Sequence, residues 1–303
     1  MKKSLLALAV LGAFAGAASA QSSVTIYGKL DLAFGKNIGT DDKALIDNAG
    51  SRLGFKGVED LGGGLAATFG IEHRFNPASG AANANFWNGY STVGLQGSFG
   101  HIRIGRDYTV NFLMMQNQID PFGGDTVAGL RNAGMLVGTI GKVRFNSMAE
   151  YHFSSNGFNL GLQGAGSNEN GGTDKAYSVA ANYAAGPLFV GFGYENPANT
   201  NDKVFEVGAR YNFGFATLSA GYSKGTTAGN VDLKGALIGA NIPVGAGDLK
   251  VGYAKTSEDI ASKWGIGYHY NLSKRTKLFA DYARDSKAVG PKTGYDLGIQ
   301  HNF

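Results

Sequence analysis

The last nine residues of the chain, Tyr295 to Phe303, alternate apolar side chains with small or polar ones and end on a phenylalanine. Because successive side chains of a β-strand point to opposite faces, this pattern is typical of a strand with one apolar face. The same two-residue period recurs along most of the sequence. The chain is therefore expected to be an all-β protein with a long series of two-faced strands.

Residues 1–20 have the features of an export signal. Lys2 and Lys3 supply a positive start, residues 5–14 form a short apolar run, and Ala18-Ser19-Ala20 provides a small-residue cleavage site. An N-terminal membrane anchor is the alternative, but it requires about 20 apolar residues, and glycine and serine interrupt this run earlier. We expect residues 21–303 to form a single domain after removal of residues 1–20.

The alternating segments carry charge on one face only. One face of the first segment combines Val24, Ile26, Leu30, Leu32 and Phe34, and the other combines Thr25, Tyr27, Lys29 and Asp31. A middle segment places Val143, Phe145, Tyr151 and Phe153 on one face, opposite Arg144, Asn146, Glu150 and His152. Strands that give one side to lipid and the other to water have this composition in membrane barrels.

The connections between segments alternate in length. Tight turns at 60–63, 97–100, 186–187, 245–247 and 273–275 interleave with longer polar stretches at 36–50, 76–85, 167–174, 196–203, 225–231, 256–262 and 286–292. Outer-membrane barrels have short turns at one rim and long loops at the other. We count about sixteen strands, a number that leaves an aqueous lumen. The pattern predicts a closed transmembrane antiparallel β-barrel.

Bulk composition is compatible with this fold and argues against several others. Mean hydropathy is −0.12, which does not exclude a membrane because only one face of each strand meets lipid. The chain has no cysteine, so it must be stable without disulfides. Removing Lys2 and Lys3 leaves 25 of the 27 basic residues against 23 acidic ones, scattered singly, which argues against a nucleic-acid partner.

Residues 107–141 break the alternation. Asp120-Pro121-Phe122-Gly123-Gly124-Asp125 predicts a sharp turn, and the flanking stretches 110–115 and 130–137 are too apolar for a free loop. Long segments without strand pattern inside a compact domain are usually functional. We expect this third loop to fold into the lumen and to bring Asp120 and Asp125 opposite basic wall residues; a surface lid is the alternative.

The whole chain resembles the general Gram-negative porins of the β-proteobacterial type. The resemblance depends on the order of short motifs: Val24-Thr25-Ile26-Tyr27-Gly28, residues 51–57 followed by Glu59-Asp60-Leu61-Gly62, the passage 93–106, the Asp-Pro-Phe-Gly turn, Arg144-Phe145-Asn146-Ser147 and the terminal residues 298–303. It implies a sixteen-stranded trimer whose third loop forms an eyelet facing wall arginines. Those arginines match Arg52, Arg106 and Arg144.

One departure from the family pattern bears on selectivity. Relatives often carry another arginine before the aromatic-Val-Gly-Leu run, where this chain has Asn88-Gly89-Tyr90. The expected function is passive diffusion of small hydrophilic solutes and ions with weak anion preference, set by charges across the pore. Further candidates for the pore lining are Glu72, Arg74, Arg103, Arg131 and Glu150. Phe303 is the expected assembly signal, outer-membrane lipid an expected partner, and no cofactor or metal is expected.

Two other functions compete with a general porin. A substrate-specific channel would be expected to show an aromatic slide in the lumen. An outer-membrane hydrolase is suggested only by Gly221-Tyr222-Ser223-Lys224-Gly225, which fits G-x-S-x-G but lacks the helix that this motif requires. The five histidines show no metal-binding spacing, and Asp41, Asp42 and Asp47 form a solvated acidic loop more readily than a cation site.

Overall fold

The computed structural model describes residues 22–166 and 170–303, and the predicted export signal lies outside this part of the chain. Within it, seventeen strands follow one another, sixteen long ones and the three-residue β2. They are β1 (Ser23–Lys36), β2 (Ala44–Ile46), β3 (Arg52–Gly62), β4 (Leu65–Arg74), β5 (Tyr90–Gly97), β6 (Gly100–Tyr108), β7 (Arg144–Ser155), β8 (Phe158–Ala165), β9 (Ala176–Ala185), β10 (Leu188–Asn196), β11 (Lys203–Asn212), β12 (Thr217–Thr226), β13 (Asp232–Val244), β14 (Gly247–Thr256), β15 (Ala261–Asn271), β16 (Thr276–Asp285) and β17 (Thr293–Asn302).

The sixteen long strands form a closed antiparallel barrel, as the alternation predicted. Each pairs with its neighbours along the chain, and β1 closes the ring by pairing with β3 on one side and β17 on the other. The seam with β17 runs from Lys29 opposite Asn302 to Lys36 opposite Tyr295. Gly28 and Phe303 extend it, since each backbone nitrogen donates to the other residue's carbonyl at 3.0 and 3.1 Å.

The two rims of the barrel differ in the length of their connections. At one rim the connecting residues are 63–64, 98–99, 156–157, 186–187, 213–216, 245–246 and 272–275. At the other they are 37–51, which contains β2, 75–89, 109–143, 166–175, 197–202, 227–231, 257–260 and 286–292. The predicted alternation of short and long connections is confirmed.

Each wall strand has an apolar face and a polar face. On β1 the apolar face exposes Val24 and Ile26 by 68% and 61% of their surface, whereas Asp31 on the polar face is 1% exposed. Exposed large apolar side chains recur at alternate positions on the other strands. In a membrane barrel this apolar belt meets lipid, and the polar face is turned inward.

A β-bulge on β7 corrects one predicted face. Gly105 pairs with Met148, but Asp107, only two residues later, pairs with Phe145 three residues earlier. The extra residue lies near Ser147, whose φ of 47° is left-handed. Because one inserted residue exchanges the faces, Phe145 is fully buried with Met148 and does not share the apolar face of Tyr151.

The irregular segment is displaced by two residues from its predicted limits. Asp107 and Tyr108 still belong to β6, so the connection runs over 109–143 rather than 107–141. It contains a π-helical turn (Phe112–Gln116) and two short helices, α1 (Asn117–Ile119) and α2 (Arg131–Gly134). None of the helices in the described residues has the length and apolarity needed to cross a bilayer.

Steric crowding at the seam generates a testable prediction. A Cβ at Gly28 would lie 2.7 Å from the Arg52 carbonyl and 2.8 Å from Cε1 of Phe303. Overpacking of this kind costs about 1–3 kcal/mol, so Gly28→Val should lower the unfolding temperature of the refolded barrel. The unfolding temperature is measured from the change in gel mobility that heating causes. Gly164→Val is the matched control, because open space surrounds that position; equal unfolding temperatures would contradict the prediction.

Candidate functional site

The segment 109–143 packs against glycines on the polar face of the wall. The sulfur of Met115 would lie 2.8 Å from a Cβ at Gly191, and Cδ1 of Ile119 at the same distance from one at Gly208. Gly191 is paired with Gly208 and Gly208 with Gly221, so the three form a row across β10, β11 and β12. Because glycine has no side chain, the segment can approach the wall backbone closely at these three positions.

A second glycine row continues this contact on the next strands. Gly239, Gly252 and Gly265 are paired across β13, β14 and β15. Cβ atoms there would lie 2.6 Å from Pro121, within contact of Leu130, and 2.8 Å from Ala128, respectively. Leu130 and Ala128 are completely buried by this packing. The two rows explain why glycine is frequent inside the strands of this half of the wall.

Buried polar groups hold the beginning and end of the segment. Gln116 Nε2 donates to Glu206 Oε1 at 3.1 Å, and the backbone nitrogen of Lys142 donates to Glu195 Oε1 at 2.6 Å. The Asn111 nitrogen donates to the Ser178 hydroxyl at 3.1 Å. All these wall side chains are fully buried, so the segment covers them, and hydrogen bonds offset part of the cost of that burial.

Asp120, a predicted pore residue, is occupied within its own segment. Its carboxylate accepts hydrogen bonds from the backbone nitrogens of Leu130, Arg131 and Phe122 at 2.7, 2.8 and 2.9 Å. Arg131 is likewise internal: Nη1 donates to Asn117 Oδ1 at 2.5 Å, and its guanidinium lies over the Phe112 ring. Burial lowers the pKa of Arg131, and the charge of Asp120 opposes that shift. The side chains of Asp120 and Arg131 therefore bind other residues of the segment 109–143 and stabilise its conformation.

Asp125 instead faces the wall, where three cations lie side by side. Lys29 Nζ is 3.1 Å from Asp125 Oδ2. Lys29 is paired with Arg52, and Arg52 with Arg74, on the adjacent strands β1, β3 and β4. Arg52 is turned toward the 37–51 connection, donating to the carbonyls of residues 49 and 50 at 2.7 and 3.0 Å. The predicted opposition of loop acid and wall base therefore exists for Asp125.

Arg74 belongs to a polar network. Its Nε is 2.8 Å from Glu72 Oε1, and Nη2 donates to the Tyr108 hydroxyl. The Tyr27 hydroxyl lies 3.0 Å from Glu72 Oε2 and 2.6 Å from the Tyr90 hydroxyl. Glu72 thus offsets the charge of Arg74.

The structure places the other two predicted wall arginines differently. Arg144 stacks on the Tyr108 ring at 3.9 Å and lines a cavity that also contains Arg74. Arg106 is paired with Ser91 on β5, and its guanidinium is bound by Asn146 and by Asn88, which lines the same cavity. Both arginines therefore lie close to the cavity that contains Arg74.

Arg103 and Glu150, the remaining two of the further candidates for the pore lining, belong to one ion-pair cluster. Arg103 lies 2.5 Å from Glu150 and 2.9 Å from Asp107, and His152 is 3.4 Å from Glu150. With two carboxylates bound to it, Arg103 adds no net positive charge to this part of the polar face.

Some basic residues lie on the polar face although none of them was a predicted pore-lining residue: Lys250, Lys263, Lys277 and Arg210. Lys250 Nζ donates to the Pro121 carbonyl at 2.6 Å, and Arg210 to the Gln118 carbonyl at 2.9 Å. Lys277 Nζ lies 3.4 Å from His269 Nδ1. All four occupy polar-face positions of their strands, so the period-two pattern alone contained the signal needed to find them.

Cavities lie on both sides of the segment. Toward the long connections, one of about 520 Å³ contains Lys263 and one of about 440 Å³ contains Arg74 and Arg144. Toward the short turns, one of about 500 Å³ contains Arg210 and Lys250, and one of about 710 Å³ contains Arg103. Cations therefore line polar cavities toward both rims.

The contacts of Ser223 and of the acidic residues Asp41 and Asp47 give little support to a hydrolase site or a cation site. The Ser223 hydroxyl is fully buried beneath the segment and donates to the Gly134 carbonyl at 3.0 Å. Asp41 pairs with Lys36 at 3.2 Å, and Asp47 accepts the backbone nitrogens of Gly50 and Ser51. Within residues 22–166 and 170–303, no group of three or more His, Cys, Asp or Glu has a metal-binding arrangement.

A closed sixteen-stranded barrel with an apolar outer belt and charged inner cavities defines an outer-membrane channel. The chain belongs to the family described as Gram-negative porin, whose model matches residues 7–288. It is 34% identical over 354 aligned residues to outer membrane porin protein 32 of Delftia acidovorans, and 28% identical over 389 to an outer membrane porin protein of Bordetella pertussis, with both chains fully covered in each comparison.

Solved porin structures have the same fold. An anion-selective porin from Comamonas acidovorans matches with a TM-score of 0.75 and 28% identity, over 93% of this chain and all of that one. The trimer form of OmpT from Vibrio cholerae matches with a TM-score of 0.72 over 93% and 99% of the two chains. At 15% identity the second match supports the fold alone. The predicted family and outer-membrane location are confirmed.

The role of Asp120 within the segment can be tested by hydrogen exchange. In Asp120→Ala the amides of Leu130 and Arg131 lose their acceptor, which costs about 1–3 kcal/mol for a buried group. We expect these two amides to exchange roughly tenfold faster or more. Asp125→Ala is the control, because its carboxylate contacts Lys29. Unchanged exchange in Asp120→Ala would show that the carboxylate does not stabilise the segment.

Proposed function

We propose that the chain is a general diffusion porin for small hydrophilic solutes and ions, with a weak preference for anions. The observation that carries this proposal is the combination of a closed sixteen-stranded wall with charged cavities on both sides of one packed segment. Sixteen strands enclose an aqueous lumen. Passive flow requires no reaction, and we propose that the chain has no catalytic activity.

In this proposal the segment 109–143 lies in the lumen and narrows it. Its support is the contact of Met115, Ile119 and Leu130 with wall glycines on the face opposite the apolar belt. The segment then covers β8–β17 from inside and leaves the side of β1 and β3–β6 open to solute. The aperture is bounded by Asp125 and by the cations of that wall.

The proposed anion preference comes from an excess of accessible positive charge. Glu72 offsets Arg74, and the two carboxylates beside Arg103 offset that charge. Among the described residues, neither Lys277 nor Lys263 has an ion pair within 4.0 Å; the contact of Lys277 Nζ is with His269 Nδ1, at 3.4 Å. The Comamonas porin, which has a similar barrel, is anion-selective, and we extend that preference to this chain.

Reversal potentials in a salt gradient test the assignment of charge. One unit charge about 6 Å from a permeating ion in water changes its energy by about 0.7 kcal/mol, with opposite sign for a cation and an anion, so Lys277→Gln should raise the cation-to-anion permeability ratio roughly tenfold. Lys224→Gln is the comparison, since Lys224 is exposed on the apolar face of β12, on the side of Tyr222. We expect no shift for Lys224→Gln; equal shifts in the two variants would contradict the assignment of Lys277 to the pore.

The two rival functions make different predictions in the same bilayers. A substrate-specific channel would show saturable block of conductance by one solute, whereas a diffusion porin should show conductance proportional to salt. On the polar face, Phe189 and Phe279 are covered to 5% and 2% exposure, so they do not form an open aromatic slide. A hydrolase would show lipid or peptide cleavage that is lost in Ser223→Ala.

We propose that the chain forms a homotrimer through the apolar face of β1 and β3–β6. In the described chain, the tyrosines and the tryptophan of the apolar face lie on β7, β9–β12 and β14–β17, including Tyr183, Tyr222, Tyr253 and Trp264. The face of β1 and β3–β6 presents aliphatic residues and phenylalanine. Because tyrosine and tryptophan mark surfaces that meet the lipid–water interface, their absence here favours contact with protein.

Cysteine cross-linking can locate this interface, since the chain has no cysteine of its own. Val93 on β5 and Ile238 on β13 are comparably exposed, at 54% and 60%. Val93→Cys should give cross-linked dimers with a bismaleimide in the membrane, and Ile238→Cys should not. Cross-linking of Ile238→Cys alone would move the interface to the opposite wall, and neither variant reacting would argue against a trimer through this face.

A further inference from the structure

Two glutamates are completely buried on the polar face of the wall, beneath the segment 109–143. They are Glu195 on β10 and Glu206 on β11, and neither has any exposed surface. Among the described residues, neither carboxylate has an ion pair within 4.0 Å. Because an isolated buried charge is very costly, two carboxylates at this depth require either a counter-cation or protons.

Gln116 of the segment lies between the two carboxylates. Its Nε2 atom donates to Glu206 Oε1 at 3.1 Å. A Cβ at Gly141 would lie 2.8 Å from the same Nε2 atom and 3.8 Å from Glu195 Oε1. These contacts place Gln116 and both carboxylates around one small space between the segment and the wall.

Asn111 enters the same space where the wall lacks a side chain. Its Oδ1 atom lies at the position that a Cβ of Gly193 would occupy. Gly193 is paired directly with Glu206 across β10 and β11, and the Cβ atoms of directly opposed residues are about 4.5–5.5 Å apart. Asn111 Oδ1 is therefore beside the Glu206 side chain. Glu195 lies two residues beyond Gly193 on β10 and shares its face.

Three oxygen atoms in this space have no hydrogen-bond partner in the described chain: Glu206 Oε2, Gln116 Oε1 and Asn111 Oδ1. All three side chains are completely buried. The amide of Asn111 is close to Glu206 but forms no well-aligned hydrogen bond with it. Buried polar atoms normally have a partner, so unpaired oxygens beside two unpaired carboxylates indicate a positively charged ligand.

We propose that Glu195, Glu206, Gln116 and Asn111 form a binding site for one calcium ion between the segment and the wall. One divalent cation neutralises two carboxylates, and carboxylate and amide oxygens are the ligands that Ca²⁺ prefers. Mg²⁺ usually keeps several waters, for which a completely covered space is unsuitable. The sequence did not predict this site, because its residues come from distant positions and only two of them are acidic.

A cation at this position would hold the beginning of the segment to the wall. Asn111 precedes the π-helical turn (Phe112–Gln116) and Gln116 ends it, whereas the two glutamates belong to adjacent wall strands. Because the ligands come together only when the segment is in place, binding is coupled to folding. The ion should therefore be taken up as the barrel folds and should be released slowly afterwards.

The calcium content of the refolded full-length barrel tests the site. The protein is refolded with calcium in a zwitterionic detergent without lipid, desalted in the presence of EDTA and analysed by elemental mass spectrometry. We expect one calcium ion per chain in the parent and none in Glu206→Gln, which removes a charge at nearly constant shape. A parent that retains no calcium would indicate that protons neutralise the glutamates, and would overturn the proposal.

Asp41→Asn with Asp42→Asn is the matched control, because it removes two carboxylates from the exposed acidic loop and none from the buried site. This variant should keep its calcium ion. Loss of calcium in the control, with retention in Glu206→Gln, would assign the ion to the acidic loop and contradict the proposal. Gln116→Met keeps both glutamates but removes one amide oxygen, and it should also retain less calcium than the parent.

Thermal unfolding provides a second measurement and verifies that each variant has folded. A ligand that binds only the folded state raises the unfolding temperature, so the parent refolded with calcium should unfold at a higher temperature than the parent refolded with EDTA. Glu206→Gln should show no such difference. Calcium retained by the parent without any effect on its unfolding temperature would indicate an ion outside the buried site and would also contradict the proposal.

Discussion

The structure depends on one constraint: in hydrocarbon no water is available for backbone amides, so every strand of the wall needs two partners. The pairing of β1 with both β3 and β17 fulfils it and leaves no free edge in the described wall. Since closure is provided by backbone pairing alone, side chains on the two faces are free to match different solvents. The polar face can then carry buried carboxylates and lysines that the core of a soluble sheet would not tolerate.

Much of this fold could be predicted from local sequence, because lipid on one side and water on the other impose a period of two on every strand. The strand number, the alternation of short and long connections and the irregular third connection were all predicted in this way. Phe145 was assigned to the wrong face since a single inserted residue near Ser147 exchanges the faces. The apolar and polar pattern of the sequence does not reveal such a bulge, because the residues around it are compatible with either face of the strand.

The site was harder to predict than the fold. Asp125 contacts Lys29, which was not among the predicted wall bases, and Asp120, only five residues away, uses its carboxylate for backbone amides. Sequence spacing cannot distinguish these roles, because they depend on how the chain between residues 120 and 131 returns on itself. Motif matching also favoured arginine, so Lys250, Lys263 and Lys277 were not named as pore-lining candidates although their positions in the alternation were visible.

In the proposed arrangement, the two glycine rows set the position of the segment that narrows the pore, whereas much of the pore charge belongs to the wall. The segment 109–143 rests on backbone where Gly191, Gly208, Gly221, Gly239, Gly252 and Gly265 supply no side chains, whereas the accessible cations occupy other positions. A methyl group added at one of these glycines would move the segment and, with it, the charge of Asp125, whereas a substitution at Lys277 would leave the segment in place. Ionic preference can therefore be changed at constant width by substitutions in the wall, but a change of width also displaces a charge.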